Sequence, residues 1–306
     1  MTGVEEAVRA LHAGDLVILP TETVYGLAAD ADNASAVAKL YRAKGRPAFN
    51  PLIAHVSDLA AAEAIAVLDK RARRLVQAFW PGPLTLVAPY RPNGGVCDLA
   101  RAGLDTVAVR APAHPIARAV LEAFGGAIVA PSANRSGRPS PTRFVDAMAE
   151  TGKCAAVGLD GGPCALGMES TVLSLLDGPP RLLRPGAVTR ASLEAVVGPL
   201  GEAEADAKRS PGRLTRHYAP GAPVRLNVAA PRDGEAFLAF GPAPDYPASL
   251  NLSPSRDLAE AAANLFTFLR LADAGSPAAI AVAPIPEQGL GEAINDRLRR
   301  AAGHVG

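Results

Sequence analysis

Several familiar signposts are missing from this sequence. Its 306 residues include only three cysteines, Cys97, Cys154 and Cys164, and no two of them form a CxxC pair. That number and spacing argue against a disulfide framework or a thiolate zinc site and fit a reducing cytoplasm. No apolar run approaches the roughly 18 residues needed to span a bilayer. The opening MTGVEEAVRALHAGD carries Glu5 and Glu6 where a secretory signal would be cationic, so neither export nor membrane association is expected. The formal net charge is only +1, which leaves no global field to draw in a nucleic acid, so any polyanion must be held by local groups. There is no G-x-x-x-x-G-K-[ST] and no G-x-G-x-x-G, and GLGEAI at 289–294 matches the second only in part. G-x-S-x-G, H-E-x-x-H and paired His/Cys clusters are absent too, so triad or zinc hydrolysis lacks its parts and no protein metal site is expected.

What is present is an ordinary soluble composition, 49% hydrophobic and 20% charged, in a chain long enough for two domains. Val4, Val8 and Leu11 lie at helical spacing before Gly14, and Leu16 to Leu19 then reads as a strand. Asn33 or Ser35 can cap a helix running to about Ala43. Further strands are expected at 52–56, 85–90, 106–112, 127–133, 154–160, 170–176 and 181–184, with helices near 59–66, 69–79, 115–124, 142–150 and 190–197. This alternation predicts an α/β domain with a mixed sheet over residues 1–202. Residues 203–222 change from acidic to basic, carry Pro and Gly and lack periodicity, so they read as a linker. Residues 223–306, with LAFGP, AAIAVAP and a helical EAINDRLRRAA, read as a second, smaller α/β domain.

Five stretches share one trait, a strand ending in Pro or polar residues followed by a loop rich in Ser, Thr, Asn or Arg. They are PTETVYG, AKGRPAFNPL, VAVRAP, APSANRSGRPSPT and MESTVL. Each alone is an ordinary turn, but ligands collect at strand ends in open α/β sheets, so five such loops point to one shared site. Lys44 and Arg46, with Arg135, Arg138 and Arg143 among hydroxyls, offer the point charges and planar forks that a phosphate chain needs, which suggests a nucleotide. His55 lies inside LIAHV and reads as hydrogen-bonded within its sheet more readily than as a base. Arg110 at a strand end either pairs with a structural carboxylate or holds an anionic ligand. Glu22 and Glu169 are open between metal ligand or base and partner for a cation.

In this order, PTETVYGLAADA, KGRPAFNPLIAHV, FWPGPLTLV, VAVRAPAHP, APSANRSGRPSPT, ESTVL and LRPGAV resemble the YrdC-like family, whose best understood members are threonylcarbamoyl-AMP synthases. SPGRLTRHYAP and GLGEAINDRLRRAA resemble that family's long form, which adds a Rossmann-like domain. The resemblance implies a twisted mixed sheet around a concave, positively charged cleft, plus the smaller Rossmann-like α/β C-terminal domain. It also implies a reaction of L-threonine, bicarbonate and ATP that yields threonylcarbamoyl-adenylate and pyrophosphate. A tRNA-modifying transferase complex would then receive the adenylate. By motif matching, Lys44, Arg46, Ser132 and Asn134 would surround the reacting groups. Thr23, His55, Arg110, the Ala130 backbone and Ser170 would contact threonine. Arg46, Asn50, Thr106, Ser132, Ser140, Arg184 and Tyr218 would contact ATP, which would bring Mg2+ on its phosphates. Met168 in GMEST departs from an expected Leu of similar volume.

The linker's Lys208, Arg209, Arg213 and Arg216 are either a solvated run or part of a lid over the cleft, and the resemblance favours the lid. A different class of function, a structured-RNA binding module without catalysis, is permitted by the Arg-rich loops. The near-neutral charge and the 5% aromatic content speak against it, so direct tRNA binding is left open. A relative acting on another carbamoyl acceptor is a third reading, opposed by the linker and C-terminal domain.

Overall fold

The computed structural model describes residues 3–201, 217–244, 246 and 248–303. Helix α1 (Gly3–His12) buries Ala7 and Leu11, one turn apart on one face, and Gly14 in the left-handed region at φ 76° ends the turn that follows. Strand β1 (Val17–Leu19) is buried throughout. After a six-residue polar turn the chain returns as β2 (Gly26–Asp30), antiparallel to β1 with Val17 opposite Ala28. This second strand is not among those expected from the sequence. Its residues GLAAD are small and buried at four successive positions, so the period-2 contrast that marks a half-exposed strand is missing.

Asn33 caps α2 (Ala34–Lys44) by accepting from Ala36 N at 3.0 Å, and Gly45 closes it in the left-handed region. The other expected helices are present as α3 (Leu59–Ile65), α4 (Lys70–Phe79), α5 (Pro115–Phe124), α6 (Phe144–Thr151) and α7 (Arg190–Val197). The strands β3 (Ile53–His55), β4 (Leu84–Pro89), β5 (Thr106–Arg110), β6 (Ile128–Val129), β7 (Val157–Gly158), β8 (Thr171–Ser174) and β9 (Arg181–Arg184) join β1 and β2 in a nine-stranded mixed sheet, ordered β7-β1-β2-β6-β3-β5-β4-β8-β9. Strand β6 is shorter than the expected 127–133 because Pro131 has no N–H for the ladder, and only an isolated Gly26–Ser132 bridge continues the pairing. Strand β7 is shorter than 154–160 and pairs only with β1, at the sheet edge.

The second unit is a four-stranded parallel sheet, ordered β10-β13-β11-β12. Its strands are β10 (Val224–Arg225), β11 (Ala236–Ala239), β12 (Ser249–Asn251) and β13 (Ile280–Val282). Helices α8 (Leu258–Ala274) and α9 (Leu290–Ala302) pack with it. Helix α8 is also missing from the expected elements, although its signal is there: Asp257 caps it, and Ala261, Leu265, Leu269 and Ala272 recur at helical spacing and are buried.

The two units share an apolar core. Val24 and Met168, from loops beside the large sheet, are buried among Tyr218, Phe266 and Leu269. Gly167 lies at φ 62°, and a Cβ there would stand 2.4 Å from the Ala263 carbonyl oxygen, so the loop touches α8 backbone to backbone. Met168 therefore fills the seam between the units. Among the described residues no helix is long and apolar enough to cross a membrane. Residues 202–216 lie outside the described residues, and with them Lys208, Arg209, Arg213 and Arg216 and most of the expected lid.

Candidate active site

The site begins where β1 ends. The Thr21 hydroxyl donates to the Val24 carbonyl at 2.7 Å and hydrogen-bonds the Thr23 hydroxyl at 2.7 Å, which tightens the turn and fixes Thr23 with no exposure to solvent. Arg110, at the end of β5, reaches this turn. Its Nη1 donates to Thr23 Oγ1 at 3.0 Å, its Nη2 to Glu22 Oε1 at 2.5 Å and its Nε to the Gly82 carbonyl at 3.1 Å. Burial opposes ionisation of Glu22, but the charge and hydrogen bonds of Arg110 outweigh it and hold the carboxyl below its ordinary value. Glu22 is thus a carboxylate engaged on Arg110 and on the Ala113 N–H at 3.0 Å. Arg110 both pairs with that carboxylate and lines the pocket.

His55 is opposite Arg110 in the parallel β3–β5 register. Its Nδ1 lies 3.2 Å from the Ile53 carbonyl oxygen, and burial, reinforced by Arg110, lowers its pKa to about 3. A ring held neutral to that degree acts as a hydrogen-bonding group near neutral pH. Ser170 enters from the loop before β8, its hydroxyl 2.7 Å from that of Thr85.

The other side of the pocket is cationic. Lys44, the last residue of α2, is buried and donates from Nζ to the carbonyls of Ser132 and Asn134. Burial, and then the nearby Arg46, push its pKa well below the ordinary lysine value, against the pull of Glu150. Arg46 is held by the carbonyls of Asn50 at 3.3 Å and Pro51 at 2.9 Å, and burial brings its pKa down to about 10. Arg184, at the end of β9, donates from Nη2 to the Ser170 carbonyl at 2.9 Å and to its hydroxyl at 3.2 Å. Tyr218 is fully buried, adopts φ 58°, and stands edge-on to His217 with ring centroids 4.0 Å apart. Burial, then the surrounding Arg46, Lys44, Arg184 and Arg297, press the His217 pKa well down, while burial and Glu169 raise that of Tyr218 to about 12.

One pocket brings together Thr23, Arg46, His55, Arg110, Ala130, Ser132, Ser170, Arg184 and Tyr218 from the expected set. Lys44 and Asn134 do not line it; Lys44 is packed behind the lining residue Ser132, donating to its carbonyl and to that of Asn134. Asn134 Nδ2 donates to the Arg135 and Arg138 carbonyls, and Asn134 Oδ1 is buried without a partner among the described residues. Ser140 sits behind the wall, donating to Glu169 Oε1 at 2.5 Å. Asn50 contributes its carbonyl to Arg46 and does not line the pocket. Thr106 is not brought to it either. It faces Pro89 at the end of β5 opposite Arg110, roughly 13 Å away at the usual strand rise. Val24, Leu52, Ile53, Pro131 and His217 also line the pocket and were not anticipated; the signal for His217 was its place beside Tyr218, and Val24 lies inside the opening motif. Tyr25, by contrast, points away, donating to the Gly162 carbonyl at 2.7 Å. Gly26 lets the turn approach the Ala130 loop, since a Cβ there would lie 3.0 Å from the Ala130 Cβ.

Residues 9–186 match the Sua5/YciO/YrdC family model, described as "Telomere recombination", and residues 188–303 match the model described as "Threonylcarbamoyl-AMP synthase, C-terminal domain". The chain belongs to this family. A relative named threonylcarbamoyl-AMP synthase from Bacillus subtilis is 40% identical over 98% of this chain and 93% of its own. One of the same name from Schizosaccharomyces pombe is 33% identical over 99% of this chain and 89% of its own. Among solved structures, a crystal structure of P. abyssi Sua5 complexed with L-threonine superposes with a TM-score of 0.92 at 38% identity, covering 98% of this chain and 94% of that one. The family likeness therefore spans both sheets and the residues that line the pocket, and the mixed α/β fold expected from the sequence is the family's fold.

Proposed function

We propose that this chain is a threonylcarbamoyl-AMP synthase, joining L-threonine, bicarbonate and ATP into threonylcarbamoyl-adenylate and pyrophosphate. The observation that carries the reading is that one pocket gathers two kinds of polar groups, which meet where Arg184 donates to Ser170. One is a hydroxyl and arginine corner at Thr23, Arg110, His55 and Ser170, and the other is a cationic corner at Arg46 and Arg184, with Lys44 packed behind Ser132. The first suits an amino acid: Arg110 meets its carboxylate, and buried hydroxyls read its side-chain hydroxyl. The second suits a triphosphate, with Arg46, Ser132, Ser140 and Arg184 toward the phosphates, Tyr218 over the nucleotide, and Asn50 and Thr106 toward the nucleoside end.

The proposed chemistry needs no strong base, in keeping with a neutral His55 and a Glu22 engaged on Arg110. The threonine amine adds to bicarbonate with loss of water and becomes a carbamate. A carbamate oxygen then bonds to the α-phosphorus of ATP as the bond to pyrophosphate breaks. Alignment and neutralisation of charge supply the acceleration. An arriving phosphate chain would raise the lowered Lys44 pKa and secure its ammonium form. Among the described residues no group of three or more His, Cys, Asp or Glu could hold a metal, and Glu169 in the pocket is engaged by Ser140 and Arg297. Mg2+ would come with ATP and screen its phosphates. The free thiols suggest a cytoplasmic setting, with a tRNA-modifying transferase complex as the acceptor of the adenylate. The test is pyrophosphate release from ATP and bicarbonate with and without L-threonine, with L-serine as competitor. Release that does not depend on threonine overturns the proposal.

A further inference from the structure

The C-terminal unit sends one side chain into the wall of the active site. Arg297 lies on α9, yet its side chain has no solvent exposure. Its Nε donates to Glu169 Oε2 at 3.1 Å, its Nη1 to the Pro185 carbonyl at 2.7 Å and to Asp296 Oδ2 at 2.8 Å. Its guanidinium carbon lies 5.4 Å from the centroid of the Tyr218 ring. Its Nη2 is buried with no hydrogen-bond partner among the described residues, as is the Tyr218 hydroxyl. Burying an arginine with a donor left over is costly, and the surface of a helix offers it solvent instead. The contacts that cross to the catalytic sheet are also selective. Glu169 passes the contact to Ser140 through its other oxygen, Pro185 follows Arg184, and the ring is that of Tyr218. No hydrogen bond or ion pair joins Arg297 to Thr23, His55 or Arg110 among the described residues.

We propose that Arg297 is a positioning residue for the nucleotide. It fixes Tyr218 and the Glu169–Ser140 pair in the geometry that receives ATP, so that the C-terminal unit completes the ATP half of the site and leaves the threonine half to the large sheet. The inference rests on the synthase reading above. Arginine suits the task because one planar fork can meet a carboxylate and a carbonyl while facing an aromatic ring, whereas a lysine delivers a single point charge.

The experiment compares the full-length wild-type chain with Arg297→Met and Arg297→Lys. It measures KM for ATP and for L-threonine by pyrophosphate release, L-threonine binding by calorimetry without nucleotide, and thermal unfolding. In both variants KM for ATP should rise about 10-fold or more, the scale of a lost charge-assisted hydrogen bond. Threonine affinity should stay within about twofold of wild type. Arg297→Met combined with Tyr218→Ala should raise KM for ATP no further than Tyr218→Ala alone, because one acts through the other. Arg297→Lys keeps a charge facing Glu169 and carries the test alone if the methionine variant does not fold. An unchanged KM for ATP, or equal losses for ATP and threonine that follow a loss of stability, would assign Arg297 a purely structural role and overturn the inference. A wild-type chain without threonine-dependent pyrophosphate release would instead overturn the synthase reading.

Discussion

Replacing Glu22 with alanine separates the two roles a glutamate in this motif can play. The structure gives it the role of holding Arg110: the ion pair is 2.5 Å long, with side-chain exposures of 4% for Arg110 and 12% for Glu22. Removing the carboxylate leaves Arg110 with Thr23 and the Gly82 carbonyl as neutral partners and deprives the Ala113 N–H of its acceptor. Breaking a buried pair from one side costs about 3 kcal/mol, toward the lower end of the usual range because Arg110 borders a pocket that water can enter. Urea denaturation should show that loss for Glu22→Ala, and L-threonine should recover part of it, since its carboxylate can face the unpaired guanidinium. The pH dependence has a definite sign. The Glu22 carboxyl titrates below its ordinary 4.5 in the folded chain, so its contribution is complete above pH 4.5 and is lost as the pH falls through the lower folded value. Glu22→Ala should lack that part of the acid limb. A variant with wild-type urea stability and no turnover would refute the reasoning, because it would make Glu22 a proton-transfer group.

Lys44→Met removes the ammonium that draws together the Ser132 and Asn134 carbonyls, and kcat/KM for ATP should fall about 100-fold or more in the pyrophosphate assay. Tyr218→Phe removes a buried hydroxyl with no partner among the described residues. Stability should hold or rise by up to about 1 kcal/mol in urea titrations while KM for ATP increases several-fold. His55→Gln tests the neutral ring. The wild type should lose stability as pH falls from 6.5 toward about 3, because the unfolded histidine takes up a proton that the folded one refuses. Urea midpoints at pH 7 and pH 4 should therefore differ less in the variant, with His217, also lowered, accounting for what remains.

Local patterns were legible wherever a residue's role depends on its neighbours in sequence. Asn33 caps the helix beside it, and the helices from 59–66 to 190–197 follow their apolar spacing, whereas α8 went unread although Asp257 caps it. Strand β2 escaped because a strand buried on both faces shows no alternation. Thr106 lies at the other end of β5 from Arg110, a separation that its motif did not show. His217 lies in SPGRLTRHYAP and Arg297 in GLGEAINDRLRRAA, stretches that marked the long form without giving either residue a role. Their importance comes from what they are buried against, which spacing along the chain does not encode.

By itself the sequence determined the types and order of the polar loops and much of the alternation of helix and strand, properties carried by neighbouring residues. Only the tertiary structure decided how those loops meet. The parallel register that sets His55 beside Arg110 and the reach of Arg110 back to Glu22 and Thr23 belong to it, as does the entry of Arg297 behind Tyr218. These contacts join residues distant along the chain, and strand pairing and shared core packing bring them within hydrogen-bonding range. The PTETVYG turn is the plainest case. Its composition announced a site, but it took the fold to make Glu22 the anchor of Arg110, Thr23 a wall of the pocket and Val24 part of the seam between the two units.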